Sequence, residues 1–118
     1  MTAPTLGGGG FELVFHPSAR DELLHLSAPG DKRFERAFDG LQADPFRRRP
    51  GVDIQKLADA GSGAWLGRLR VGDLRACFVV EKAERRVLVL TVERRSQRYD
   101  RILATALARL RNLGGGRR

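Results

Sequence analysis

Cysteine, histidine and long apolar segments are scarce in this chain of 118 residues. The lone cysteine, Cys77, cannot form an internal disulfide, and with only His16 and His25 beside it no spacing resembles a zinc site. No run of about 18 apolar residues is present to cross a bilayer, and the first residues lack the charged and apolar regions of a secretory signal. We therefore expect a cytoplasmic protein with no metal, no small-molecule cofactor and no membrane contact.

Positive charge, by contrast, is abundant and unevenly distributed. The net charge is +8, and from Trp65 to the C-terminus 14 Lys and Arg stand against 5 Asp and Glu. Most of these cations are arginines, whose planar guanidinium groups match phosphate oxygens in pairs, although a GC-rich genome also enriches arginine. The pattern favours a phosphate-binding surface in the second half of the chain.

The length suits one domain with one core. We predict a flexible Gly-rich leader over residues 1–9, a single domain over residues 10–113 and a basic tail over residues 114–118. The alternation of Phe11, Leu13 and Phe15 predicts a first strand that ends before Pro17.

Apolar spacings then predict a helix of about ten residues from Ser18, and a second, antiparallel helix that ends at Pro45. We predict a loop over residues 45–63, three β-strands between Trp65 and Val92, and an amphipathic helix over residues 97–113. The fold class is thus α+β: an N-terminal strand, an antiparallel helical hairpin, a three-stranded antiparallel meander that completes a twisted sheet, and a C-terminal helix.

The hairpin between the first two strands of the meander carries the functional argument. If Gly72 and Asp73 form a two-residue turn, every facing pair on one side is apolar, whereas the other side places Arg70 opposite Arg75. Arg68 then faces Cys77. Like charges in this position repel each other by up to about 1 kcal/mol, so we expect an anion there. The alternative is that these are ordinary solvated arginines.

Several segments together resemble the RelE/ParE superfamily of bacterial toxins. The resemblance covers about residues 11–103 and rests on the string WLGRLRVGDLR (65–75), on GVDIQKL (51–57) before it and on RRSQRY (94–99) after it. The Asp44-Pro45 pair at the end of the second helix belongs to the same pattern.

This resemblance implies a type II toxin that binds the ribosomal A site and cuts mRNA, through attack of a ribose 2′-hydroxyl on the adjacent phosphate. It also implies an acidic antitoxin that folds over the basic groove. The alternative activity within the superfamily is ParE-like inhibition of DNA gyrase without catalysis, and an inactive homologue that serves only as a repressor partner is a third possibility.

By position in the motifs, Arg70 and Arg95 match the phosphate-stabilising arginines of the family, Lys56 matches its lysine, and Tyr99 matches the tyrosine of its closing motif. The resemblance implies proton transfer by Lys56 among the crowded cations and base stacking by Tyr99. Lys56 is alternatively a phosphate anchor or an ion-pair partner of Asp53 or Asp59, and Tyr99 is alternatively a core residue. Further expected RNA contacts are Arg68, Arg75, Arg94 and Arg98. The family often has His-Arg where this chain has Arg94-Arg95, so a histidine acid or base is missing there.

Overall fold

The computed structural model describes residues 10–27, 32–59, 64–94 and 99–116. Its elements follow in the order β1 (Glu12–Phe15), α1 (Pro17–Leu26), α2 (Arg33–Ala43), β2 (Asp53–Asp59), β3 (Trp65–Val71), β4 (Leu74–Glu81), β5 (Arg86–Arg94) and α3 (Tyr99–Gly116). The predicted α+β class is confirmed. The predicted leader and the last two residues of the tail lie outside the described residues. Within these ranges, no helix has both the length and the apolar character that crossing a bilayer requires.

Strand β2 corrects the predicted loop over residues 45–63. It pairs antiparallel with β3 at one edge of the sheet, so the meander has four strands instead of three. Ile54 is its one buried residue, and a bulge between Lys56 and Ala58 interrupts the alternation. An edge strand with so little buried surface carries no apolar pattern that sequence analysis would detect.

The five strands form one sheet in the order β1-β5-β4-β3-β2, in which β1 is parallel to β5 and every other pair is antiparallel. The predicted hairpin register is confirmed, with Arg70 opposite Arg75 and Arg68 opposite Cys77. Gly72 in the turn has a φ of 61°, a left-handed conformation that glycine adopts without steric cost.

Helices cover both faces of the sheet. On one face, α1 and α2 pack on apolar side chains of all five strands; the largest of this cluster include Phe34, Phe38, Leu41, Leu69 and Phe78. On the other face, α3 packs Ile102 and Ala106 against Leu66, Val79 and Leu90. The sheet therefore separates two apolar clusters, and α3 alone supplies the helical part of the second.

The helix ends show how local chemistry sets the boundaries. Pro17 begins α1, and the Nδ1 atom of His16 accepts a hydrogen bond from the Ser18 backbone N–H at 3.0 Å, so His16 acts as an N-cap. Burial lowers the pKa of His16, with the nearby Arg109 adding to the effect. Helix α3 continues to Gly116, beyond the predicted end at Leu113.

An ion pair between Glu22 of α1 and Arg109 of α3 links the two helices beside the C-terminal part of β5. Strand β1 pairs with β5 only as far as Val89. Beyond that point Glu22 of α1 accepts the Val92 N–H at 3.0 Å, and Arg109 of α3 donates to the Leu90 carbonyl oxygen at 2.9 Å. The two side chains also bind each other through two N–H to oxygen contacts of 2.9 Å. We call this pair the edge clamp, because it satisfies backbone groups that no strand pairs.

Candidate nucleic-acid interface

Three arginines from the two central strands share one face of the sheet. Arg68 and Arg70 alternate along β3, and Arg75 lies at the start of β4, directly opposite Arg70. Successive side chains of a strand point to opposite faces, so all three lie on the same side. We call Arg68, Arg70 and Arg75 the arginine face.

Two carboxylates flank the facing arginine pair. Asp53 on β2 lies opposite Arg70, and Glu93 on β5 lies opposite Arg75. Across four strands the row is therefore acid, arginine, arginine, acid. The expectation that only an external anion relieves the repulsion needs correction, because the chain places its own carboxylate beside each arginine of the pair.

Asp53 lies among three arginines. Its Oδ2 atom accepts a hydrogen bond from the Arg70 Nε at 2.9 Å, while its Oδ1 atom lies 3.2 Å from the Arg48 Nε and 3.8 Å from an Arg68 terminal nitrogen. Its side chain is 25% exposed and that of Arg68 only 14%. One carboxylate cannot neutralise three guanidinium groups, so the local charge stays positive, and its hydrogen bond orients Arg70.

Glu93 combines a charged setting with partial burial. Burial raises the pKa of the Glu93 carboxyl above its ordinary value, and the neighbouring Glu22 carboxylate raises it further, whereas Arg109 and Arg101 oppose the shift. A carboxyl with a raised pKa is more basic than an ordinary one and is suited to proton transfer.

The structure separates two of the predicted residues from the arginine face. Lys56 lies opposite Gly67 on β3, which places it on the other side of the sheet, and its Nζ atom lies 3.0 Å from an Asp59 carboxylate oxygen. The ion-pair alternative for Lys56 is thus the observed arrangement. Arg94 lies opposite the core residue Leu74, also on the other side.

The remaining predicted residues follow the end of β5. Arg95 and Arg98 lie outside the described residues. Tyr99 is the first residue of α3, and the structure describes its backbone position in the helix. Strand β5 thus ends at Arg94, and the next described residue, Tyr99, begins the helix that packs on the sheet face carrying the arginine face.

Helix α3 determines how much of that face stays open. It covers Leu66 and Val79, whereas Arg70, further along β3, keeps 37% of its side chain exposed. Cys77 lies opposite Arg68 on this face. Burial raises the pKa of its thiol to about 11, so the thiol is protonated at neutral pH and is excluded as a nucleophile. Among the described residues, no group of three or more His, Cys, Asp or Glu side chains is placed to hold a metal ion.

Sequence reasoning does not assign the two acids of the row to the site. Asp53 stands between Val52 and Ile54, both of which are buried, but an alternation of three residues is too short to identify a strand. Glu93, near the end of β5, carries no local signal of a site role. Its role depends on the β4–β5 register, which shifts between Cys77 and Phe78 and so does not follow from the turn length.

Neither a protein-family model nor a curated protein sequence matches this chain. Several solved structures, however, are similar to this chain. A chain of the archaeal RelE–RelB complex from Pyrococcus horikoshii is similar, with a TM-score of 0.64 and 25% identity over 75% of this chain and 99% of that chain.

Two further structures are similar at the level of the fold. The toxin–antitoxin complex RelBE2 from Mycobacterium tuberculosis matches with a TM-score of 0.51 and 22% identity, over 73% of this chain and 99% of that chain. The free RelE toxin from E. coli, as a double arginine-to-alanine mutant, matches with a TM-score of 0.60 and 19% identity, over 86% of this chain and 97% of that chain. The resemblance predicted from the sequence is therefore confirmed at the level of the fold: this chain has a RelE-like fold.

Proposed function

We propose that this protein is the toxin of a type II toxin–antitoxin pair and that it cleaves mRNA on the ribosome. The observation that carries the proposal is the row of Asp53, Arg70, Arg75 and Glu93, in which two facing arginines stand between two carboxylates on the sheet face that α3 partly covers. A row of this kind offers cations for a phosphate and a base for a proton within one site.

The arginines bind the scissile phosphate. Arg70 is oriented by its 2.9 Å hydrogen bond to Asp53, and Arg75 faces it across the hairpin. Both guanidinium groups stabilise the extra negative charge that develops on the phosphate oxygens when the 2′-hydroxyl attacks phosphorus. Because the donors are held in place before the substrate arrives, little reorganisation is needed in the transition state.

Glu93 is the proton acceptor in this proposal. It takes the proton of the 2′-hydroxyl as the new bond to phosphorus forms. The bond from phosphorus to the 5′ oxygen breaks, which leaves a 2′,3′-cyclic phosphate and a 5′-hydroxyl that acquires its proton from solvent. We assign this role to Glu93 in place of Lys56, because Lys56 lies on the other face and pairs with Asp59.

The segment after β5 completes the proposed site. Arg95 and Arg98 supply further phosphate contacts, and Tyr99 stacks on a base next to the cleaved bond. Arg68 contacts the RNA backbone at the border of α3, while Arg94 and Lys56 contact RNA outside the reacting phosphate.

An acidic antitoxin is the proposed protein partner. Two of the similar structures are toxin–antitoxin complexes, and a net charge of +8 favours a partner of opposite charge. In the cell, the partner prevents the arginine face from engaging ribosomal and messenger RNA.

Primer extension on translated mRNA tests the proposal. Induction of the wild-type chain should produce cuts at A-site codons, and Arg70→Ala should reduce the cleavage rate by about 100-fold or more. Arg36→Ala, which changes an exposed arginine of α2, is the matched control and should cleave like the wild type. Intact transcripts during growth arrest would contradict the proposal, and trapped gyrase–DNA cleavage complexes would establish the gyrase activity instead.

A further inference from the structure

A second cationic region lies at the far end of the sheet. A cavity of about 380 Å³ is lined by Phe11, Phe46, Trp65, Lys82 and Arg85. We call it the aromatic cavity. Trp65 begins β3, and Lys82 and Arg85 belong to the turn between β4 and β5.

The aromatic cavity is separate from the arginine face. Along β3, Arg70 is five residues from Trp65, which is roughly 17 Å at the rise of a strand. Trp65 also lies opposite Val80 and packs with the α1 and α2 cluster, which is the other side of the sheet. A ligand of moderate size in one region therefore leaves the other free.

The rings of the cavity stand edge to face and carry cations on their faces. Phe46 makes T-shaped contacts with Phe11 at 5.9 Å and with Trp65 at 5.3 Å between ring centroids. The Lys82 Nζ lies 5.7 Å above the Phe46 ring, and the Arg85 guanidinium lies 4.4 Å above the Phe11 ring. Because cations occupy these ring faces, the cavity is poorly suited to stacking a nucleobase.

Hydrogen bonds between backbone and side-chain groups hold Phe46 and Arg85 in place on the two sides of the cavity. The Asp44 carboxylate accepts the Phe46 N–H at 3.0 Å, and the Arg85 Nε donates to the Gly10 carbonyl oxygen at 3.2 Å. Arg85 has a φ of 51°, a left-handed conformation that costs a non-glycine residue free energy. A glycine would adopt this turn more readily, so the turn is strained where it presents a guanidinium to the cavity.

Phe46 is exposed over 37% of its surface and offers apolar area between two cations. This combination complements a peptide that places one bulky apolar side chain in the cavity and carboxylates beside Lys82 and Arg85. We propose that the aromatic cavity binds an acidic segment of the partner antitoxin, anchored by one large apolar side chain. The identity of this partner rests on the proposed function, whereas the peptide chemistry of the cavity does not.

Trp65 supplies a direct assay, because it is the chain's single tryptophan and lines the cavity. The probe is a short synthetic peptide with one leucine flanked by glutamates and aspartates and with no tryptophan or tyrosine. Titration into the full chain should change Trp65 emission saturably. Arg85→Glu should weaken the apparent affinity by about tenfold, since it replaces attraction with repulsion.

Matched variants separate this effect from a general loss of charge or of folding. Arg36→Glu makes the same change in charge on the exposed surface of α2 and should keep the wild-type affinity. Phe46→Leu retains an apolar side chain but removes the ring, and it should weaken binding without a change in the far-UV circular dichroism. An unchanged emission with the acidic peptide would overturn the inference. Equal weakening of peptide binding by Arg36→Glu would also overturn it. So would displacement of the peptide by a short single-stranded RNA at stoichiometric concentration.

A growth assay distinguishes failure of this inference from failure of the proposed function. If the wild-type chain is toxic, Arg85→Glu should remain toxic while co-expression of the partner antitoxin protects less well. Full protection of Arg85→Glu would overturn the inference and leave the proposed function intact. A wild-type chain that is harmless would refute the proposed function, and the Trp65 titration would still decide whether the cavity binds acidic peptide.

Discussion

One face of the sheet is divided into two halves with opposite properties. Next to α3, Leu66 and Val79 are fully buried against Ile102 and Ala106. A few residues further along the same strands lies the arginine face, which is partly exposed, from 14% for the Arg68 side chain to 37% for that of Arg70, and is flanked by carboxylates; we call these parts the covered half and the open half. Strand alternation determines which side of the sheet each residue faces. On the side that carries α3, positions beneath the helix are apolar and positions beyond it are charged.

The comparison separates residues that maintain the fold from residues that serve a ligand. In the covered half, removal of a side chain leaves a cavity. In the open half, removal of a side chain leaves the core intact and changes the electrostatic potential. Substitutions on the two halves should therefore alter stability and RNA binding independently.

The largest expected effect is in the covered half. Leu66→Ala should lower the free energy of unfolding by about 2–5 kcal/mol, because Leu66 is fully buried and a cavity would remain. Urea denaturation followed by circular dichroism measures it. Arg70→Ala is the comparison in the open half and should cost less than about 1.5 kcal/mol. Equal losses of unfolding free energy in Leu66→Ala and Arg70→Ala would contradict the distinction between the two halves.

The edge clamp should come next, because it holds α3 against the sheet. Glu22→Gln and Arg109→Met should each cost about 1–3 kcal/mol, since each leaves a partly buried charged partner unsatisfied. The double variant should cost less than the two single losses together, as a double-mutant cycle of denaturation curves reveals. Strict additivity would show that the two side chains act separately.

Within the open half, Asp53→Asn should cost about 1–2 kcal/mol, because Arg70 loses the charge that it hydrogen-bonds. The loss should be larger at low salt, where repulsion between Arg70 and Arg75 is less screened. Thermal denaturation at two ionic strengths measures it. Phosphate should stabilise this variant more than the wild type, and an equal response would argue against an anion site at the arginine pair.

The smallest expected effect is the pH dependence from Glu93. Its raised pKa means that the folded state binds more protons than the unfolded state just above the ordinary value of 4.5, so stability should fall as pH rises through that window. Glu93→Gln removes this contribution and should be relatively more stable at neutral pH. Melting temperatures across the window measure the slope, and Glu84→Gln, in the turn between β4 and β5, is the control. An unchanged slope in Glu93→Gln would contradict the assignment.

Sequence reasoning predicted the β3–β4 hairpin well because its register follows from a two-residue turn and alternation, which are local properties. It failed for β2, an edge strand with one buried residue and a bulge. The face on which Lys56 lies could not be predicted for the same reason, because it depends on the pairing of β2 with β3 and that register shifts at a bulge between Lys56 and Ala58.

The acids of the row could not be predicted for a related reason. Asp53 reaches Arg70 only through β2, and Glu93 reaches Arg75 only through a β4–β5 register that contains a bulge. Charge composition indicated that the second half of the chain binds phosphate, but it did not reveal that the chain supplies its own carboxylates to both arginines.

The salt dependence of RNA binding tests most directly whether the arginine face binds phosphates. For single-stranded RNA, the slope of log affinity against log salt should fall by about 0.7 for each phosphate contact that is lost. We predict this decrease for Arg70→Gln and for Arg75→Gln, and no change for Arg36→Gln. Slopes equal to that of the wild type in both arginine-face variants would contradict the account.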